Sequence, residues 1–153
     1  MIPVLGTALV VFVLDIATKA LALDRLRAFQ PVEVIPGFFN LSLVFNRGAA
    51  FGILPGRAGI FMALAAATIL AMLLFAWFNK KAPAALKIAL GLICGGAAGN
   101  LLDRIRFGHV VDFLDFYVSR WHWPAFNIAD SSICVGAGLL LLHSLRRSAP
   151  GPA

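Results

Sequence analysis

Four mostly apolar stretches, 2–23, 59–78, 84–102 and 126–145, leave this chain few folds to choose from. Crossing ~30 Å of hydrocarbon as an α-helix takes about 20 such residues, and each stretch reaches that length. No water is present in the hydrocarbon core to satisfy backbone groups, so each stretch must bond within itself as a helix. A composition of 61% hydrophobic and 13% charged residues, with mean hydropathy +0.91, rules out a soluble domain of 153 residues. The expectation is an all-α membrane protein with four transmembrane helices, forming a single domain over 1–153. The first stretch reads as a span and not as a cleaved signal peptide: no basic segment precedes it, and Asp15 and Lys19 interrupt its far end.

The loops set the orientation and the outer features. Lys80 and Lys81, with Lys87 just inside the third stretch, and Arg146 and Arg147 after the fourth, place both termini and the middle loop in the cytoplasm. Arginines in the other loops, such as Arg27, Arg57 and Arg120, dilute that asymmetry. The net charge of +6 suits contact with anionic membrane lipids. Scattered basic residues with no soluble domain do not form a nucleic-acid face. The outer segment 24–57 contains Asn40-Leu41-Ser42-Leu43 between Pro-Gly turn signals, which predicts a small extracytoplasmic β-sheet. The outer segment 103–125, rich in Trp, Tyr and Phe, predicts an interfacial belt with a short helix or loop.

Against this apolar background the carboxylates stand out, because an ionisable group at the edge of hydrocarbon is costly and reads first as functional. Asp15 lies roughly 20 Å along the first helix at 1.5 Å per residue, with Lys19 one turn further out. Asn100, Asp103 and Arg104 end the third stretch, Asn127 and Asp130 open the fourth, and Asn46, Arg47 and Asp112 lie in the outer segments. All therefore converge on one membrane face. Asp15 and Lys19 read as an ion pair or as chemical groups, and Asp103 with Arg104 as a boundary salt bridge fixing the loop. Asn46, Asn100 and Asn127 either satisfy buried carbonyls or hold a substrate backbone. Gly91, Gly95 and Gly99 form a stripe for close helix packing, and Cys94 and Cys134 read as small hydrophobes.

Asp112 and Asp130 differ in having no adjacent Lys or Arg. Two carboxylates close together in a poorly solvated site share one proton. They can then act as the base that activates water and the acid that protonates a leaving nitrogen. A proton relay or a metal site would use the same residue types. A metalloprotease is disfavoured by the lack of HExxH, and His109, His122 and His143 form no suitable ligand pair. A small proton-coupled carrier subunit is the alternative function, but a carrier calls for polar groups near the midplane, reachable from both sides. A scaffold would leave Asp112 and Asp130 unexplained.

The motifs DIATK, NRGAAFG, GGAAGNLLDR, VVDFLDF and FNIAD, in this order over nearly the whole chain, closely resemble those of the bacterial lipoprotein signal peptidase family, signal peptidase II. The resemblance implies an aspartyl endopeptidase of the inner membrane with its site near the outer leaflet. It would remove signal peptides from diacylglyceryl-modified prolipoproteins just before the lipidated cysteine, without a metal or other cofactor. It also implies inhibition by cyclic peptides of the globomycin type. On these motifs the catalytic pair falls on Asp112 and Asp130, and the supporting residues on Asp15, Lys19, Asn46, Arg47, Asn100, Asp103, Arg104 and Asn127; Asp115 is less securely tied to the chemistry. The two outer segments are expected to clamp the peptide. Spin-label distances between them should change when substrate or inhibitor binds, and unchanged distances would remove the clamp.

Overall fold

The computed structural model describes residues 1–48 and 56–148. Part of the NRGAAFG motif, residues 49–52, lies outside them. In chain order the elements are α1 (Ile2–Arg25), β1 (Val32–Ile35), β2 (Phe39–Asn46), α2 (Ala58–Phe78), α3 (Ala84–Phe107), β3 (Val110–Val118), β4 (Trp121–His122) and α4 (Ile128–Ser148). Among the described residues these four helices are long and apolar enough to cross a membrane.

Helix α3 is the central post, packed by α1, α2 and α4. It buries a dozen residues, whereas α2 buries only Ala76. Its glycines make this closeness possible. A Cβ on Gly91 would overlap Thr7, one on Gly95 would overlap Ala8 and Val11, and one on Gly99 would overlap the Asp15 carboxylate. The stripe is therefore a packing surface for α1. Gly96 works on a second face, where a Cβ would meet the backbone of Ala129, and Gly136 of α4 meets Ala89 in return. In lipid, where apolar burial does not drive helices together, this close approach is a main source of association.

The third helix runs past the expected end at Leu102 and carries Asp103 and Arg104 in its last turns. Its stop signal is Gly108, a left-handed cap at φ 71° whose N–H bonds the Arg104 carbonyl at 3.0 Å. Charge at a helix end is tolerated near the interface, and only the glycine lets the chain reverse. The next segment departs from the expected short helix or loop. Residues 110–118 form a strand, where Phe113, Phe116 and Tyr117, part of the aromatic density that suggested a belt, act with Val110, Val111 and Val118 as strand formers.

Strand β3 joins an antiparallel sheet of order β1-β2-β3-β4. Its pairs with β2 include Asn46↔Val110 and Val44↔Asp112, with an irregularity between Leu41 and Val44. Backbone bonds between Leu114 and Phe126 then tie β3 to the segment that enters α4. The sheet thereby holds Asp112 over the ends of the helices. Asp115 serves the sheet instead, accepting from Asn40 Nδ2 at 3.5 Å and pairing with His122 Nδ1 at 2.8 Å.

Replacing Gly95 by Val should lower thermal stability in detergent by about 1–3 kcal/mol through overpacking against α1. Gly138→Val, at a position with open space, should not. Equal melting temperatures for the two variants would contradict the packing role.

Candidate active site

A buried ion cluster organises the end of the bundle that carries the sheet. Lys19 Nζ lies 2.7 Å from Asp15 Oδ2 and 2.9 Å from Asp103 Oδ2, and donates to Asn100 Oδ1 at 3.0 Å. Lys19 is 3% exposed and Asp15 fully buried. Charges so placed must be paired and hydrogen-bonded to exist at all. The two carboxylates also bind backbone from other elements. Asp15 Oδ1 accepts from the Ala129 N–H at 2.9 Å, and Asp103 Oδ2 from the Val111 N–H at 3.0 Å. One lysine thus locks α1 to α3, and its two partners hold the start of α4 and of β3.

On this base sit Asp112 and Asp130. Asn127, immediately before α4, accepts from the Asp130 N–H through Oδ1 at 2.9 Å, while Asp130 Oδ2 accepts from the Asn127 N–H at 3.3 Å. This is the reciprocal logic of a capping box, in which side chains three residues apart satisfy the free N–H groups of a first helical turn. Asp130 also sits where the helix dipole favours negative charge. The amide of Asn127 donates to Asp112 Oδ1 at 2.7 Å. Asn46 Nδ2 reaches Asp112 Oδ2 at 3.0 Å, and Asn100 Nδ2 reaches Asp130 Oδ1 at 2.8 Å.

The three asparagines therefore hold carboxylates, a use outside the two readings made from sequence; Asn127 also donates to the Val111 carbonyl at 3.3 Å. Burial first, and then the negative charge of Asp130, push the Asp112 carboxyl up to about 7, against the hydrogen bonds from Asn46 and Asn127 and the charge of Lys19. The geometry suits a pair that carries one proton between two acids at neutral pH.

Against Asp130 opens a cleft of about 510 Å³, with Asp112 buried behind its lining. Asp130, Asn100 and Arg104 face it, and Trp123, Phe126 and Ile133 give it apolar walls. An apolar slot with a few convergent polar groups is the usual form of a ligand site. Arg104 does not pair with Asp103 as the sequence suggested. Its guanidinium donates to the Asn100 carbonyl at 3.2 Å and the Gly48 carbonyl at 3.1 Å, and lies over the Phe61 ring. Arg47 is exposed and stays outside this network among the described residues. Sequence reading also missed the backbone groups of Val111, Ala129 and Gly48, since backbone partners leave no mark in residue identity. Among the described residues no group of three or more His, Cys, Asp or Glu is gathered so as to hold a metal ion.

The family model for "Signal peptidase (SPase) II" matches residues 7–146. The lipoprotein signal peptidase of Halothermothrix orenii is 44% identical over 135 residues, covering 88% of this chain and 90% of that protein. That of Paraburkholderia phytofirmans is 47% identical over 148 residues, covering 95% and 86%. Two solved structures of bacterial membrane enzymes superpose on the chain. One has a TM-score of 0.85 at 32% identity, covering 98% of this chain and 93% of its own; the other has 0.81 at 35%, covering 93% and 92%.

Removing the shared cation should be severe. Lys19→Met leaves two buried carboxylates without their partner and is expected to cost about 3–5 kcal/mol of stability. Lys81→Met, at an exposed position, should stay within about 0.5 kcal/mol. Unfolding of both variants in detergent checks this, and matching curves would show that the cluster is not a stabilising ion network.

Proposed function

The chain belongs to the signal peptidase II family, and we propose that it removes signal peptides from prolipoproteins by aspartyl catalysis, with Asp112 and Asp130 as the acid–base pair. The observation that carries this reading is Asn127, which bonds both carboxylates, one through its amide and the other through its backbone N–H and helix cap. The pair is thus held in place before substrate arrives, with a cleft against its Asp130 member.

In the proposed reaction the ionised member takes a proton from water, which attacks the scissile carbonyl carbon. The protonated member donates to the carbonyl oxygen as negative charge develops there. Collapse of the tetrahedral adduct breaks the C–N bond: one hydroxyl of the adduct returns its proton to the carboxylate that had donated, re-forming a carbonyl, and the leaving nitrogen takes its proton from the carboxyl that gained one from water. Arg104, held by the carbonyls of Asn100 and Gly48, brings positive charge to the cleft. Asp15, Lys19, Asn46, Asn100, Asp103 and Asn127 act by positioning the pair, and Arg47 is the exposed cation next to Gly48.

The substrates in this reading carry a diacylglyceryl cysteine, cleavage falls just before it, and the apolar cleft walls accept the lipid-bearing side. The membrane is the bacterial inner membrane, with both termini in the cytoplasm and the pair near the outer leaflet, as the basic middle loop and C-terminal end favour. Cyclic peptides of the globomycin type would compete for the same cleft. A carrier gains no support, because the buried polar groups gather at one end of the bundle and give no path through it.

Cleavage of a diacylglyceryl-modified prolipoprotein by the purified protein should persist in chelator and disappear in both Asp112→Asn and Asp130→Asn. Activity surviving either substitution would remove that residue from the pair. The pH dependence has a definite sign. An upward-shifted carboxyl keeps its proton until pH approaches its raised value, so the rate should fall as pH rises through about 7, where Asp112 loses its proton. A rate still rising through pH 8 would contradict the shared proton.

A further inference from the structure

The opposite end of the bundle carries a feature that the peptidase reading does not use. Helix α2 leans on α3 and leaves a groove of about 410 Å³ between itself and α4. Met72 and Phe75 of α2, Leu90 of α3 and Leu140 of α4 line it with hydrocarbon, and His143 lies at the same groove. Its floor adjoins the cluster of Val4, Ala76 and Leu90, against which Met1, Met72 and Leu140 also pack.

The charge around this end has one sign. Lys80 and Lys81 occupy the α2–α3 loop, Lys87 follows the groove residue Leu86, and Arg146 lies three residues beyond His143. No Asp or Glu occurs before Asp15, between Glu33 and Asp103, or after Asp130. The basic residues here therefore have no carboxylate of this chain near them in sequence, in contrast with Lys19 at the other end. Lys80 also lies 4.7 Å from the centre of the Trp77 ring, and tryptophan beside lysine is characteristic of the headgroup level.

We propose that this groove is a binding site for one acidic phospholipid, with an acyl chain along Met72, Phe75, Leu90 and Leu140 and the phosphate at the level of Lys80, Lys81 and Lys87. The apolar trough accounts for the chain, and the lysines of the α2–α3 connection and first turn of α3, which have no carboxylate of this chain near them in sequence, select an anionic headgroup over a zwitterionic one. The bound lipid fills the gap between α2 and α4 and adds to the hold on the helix with the fewest protein contacts to bury it. This inference is independent of the peptidase reading.

The test uses the full chain in nanodiscs of phosphatidylcholine with or without phosphatidylglycerol, reading lipid retained by native mass spectrometry and thermal stability. The native protein should retain one phosphatidylglycerol with a preference of roughly tenfold or more over phosphatidylcholine, with a higher melting temperature. Both effects should be lost in Lys80→Gln/Lys81→Gln/Lys87→Gln, at two exposed positions and one half-buried one, and in Leu140→Trp, which fills the groove. Arg27→Gln, at the other end, should keep them. Retention unchanged in the lysine variant or in Leu140→Trp, or lost equally in Arg27→Gln, would overturn the site. Slower prolipoprotein cleavage by Leu140→Trp in pure phosphatidylcholine would assign the groove to substrate and also overturn it.

Discussion

Lys19 is the point on which the sheet-bearing half of the molecule depends. Its ammonium group is buried between the carboxylates of Asp15 and Asp103, where no charge could persist alone. Each carboxylate then turns its remaining capacity to a backbone N–H, one at the first turn of α4 and one at the start of β3. Elements far apart in sequence are held by one compact electrostatic unit. The close approach at Gly99 is what allows Asp15 to enter it, since a Cβ there would occupy the space of the carboxylate.

From that unit the proposed catalytic pair follows by short steps. Fixing α4 fixes its cap, and the cap is made by Asn127 and Asp130 together. Fixing β3 sets Asp112 under the same asparagine. A carboxylate that must change protonation during a reaction cannot also be held by a permanent salt bridge. The lysine neutralises Asp15 and Asp103 directly, while Asp112 and Asp130 are held chiefly by neutral amide donors. This division of partners separates carboxylates that build the site from carboxylates free to exchange a proton.

The two ends of the bundle differ in how they treat charge. At the sheet end opposite charges are buried together, and the buried carboxylates and amides of the described residues have specific partners. At the lysine end positive charge is exposed, without carboxylates of this chain beside it in sequence, over an apolar groove. The first arrangement gives rigidity to the proposed catalytic pair; the second is what the proposed lipid site rests on.

Much of this was legible in the residues. Apolar length alone determined four spans, because a bilayer admits no other form for them. The position of Asp15, Lys19, Asn100, Asp103, Asn127 and Asp130 in or at the ends of those spans, and of Asp112 between two of them, brought them to one face before any contact was known. The glycine stripe on α3 predicted a close helix neighbour. The fate of residues 110–118 did not follow, since aromatic and branched residues serve an interfacial belt and a strand equally well, and only pairing with β2 decides between them. Nor did the partners of the asparagines, because an amide side chain bonds whatever the fold brings near it. Chain order and composition therefore determined the solvent, the spans and the level of the polar groups. Tertiary structure alone decided which carboxylates meet a cation and which meet an amide, because that depends on distances across helices that share no local sequence.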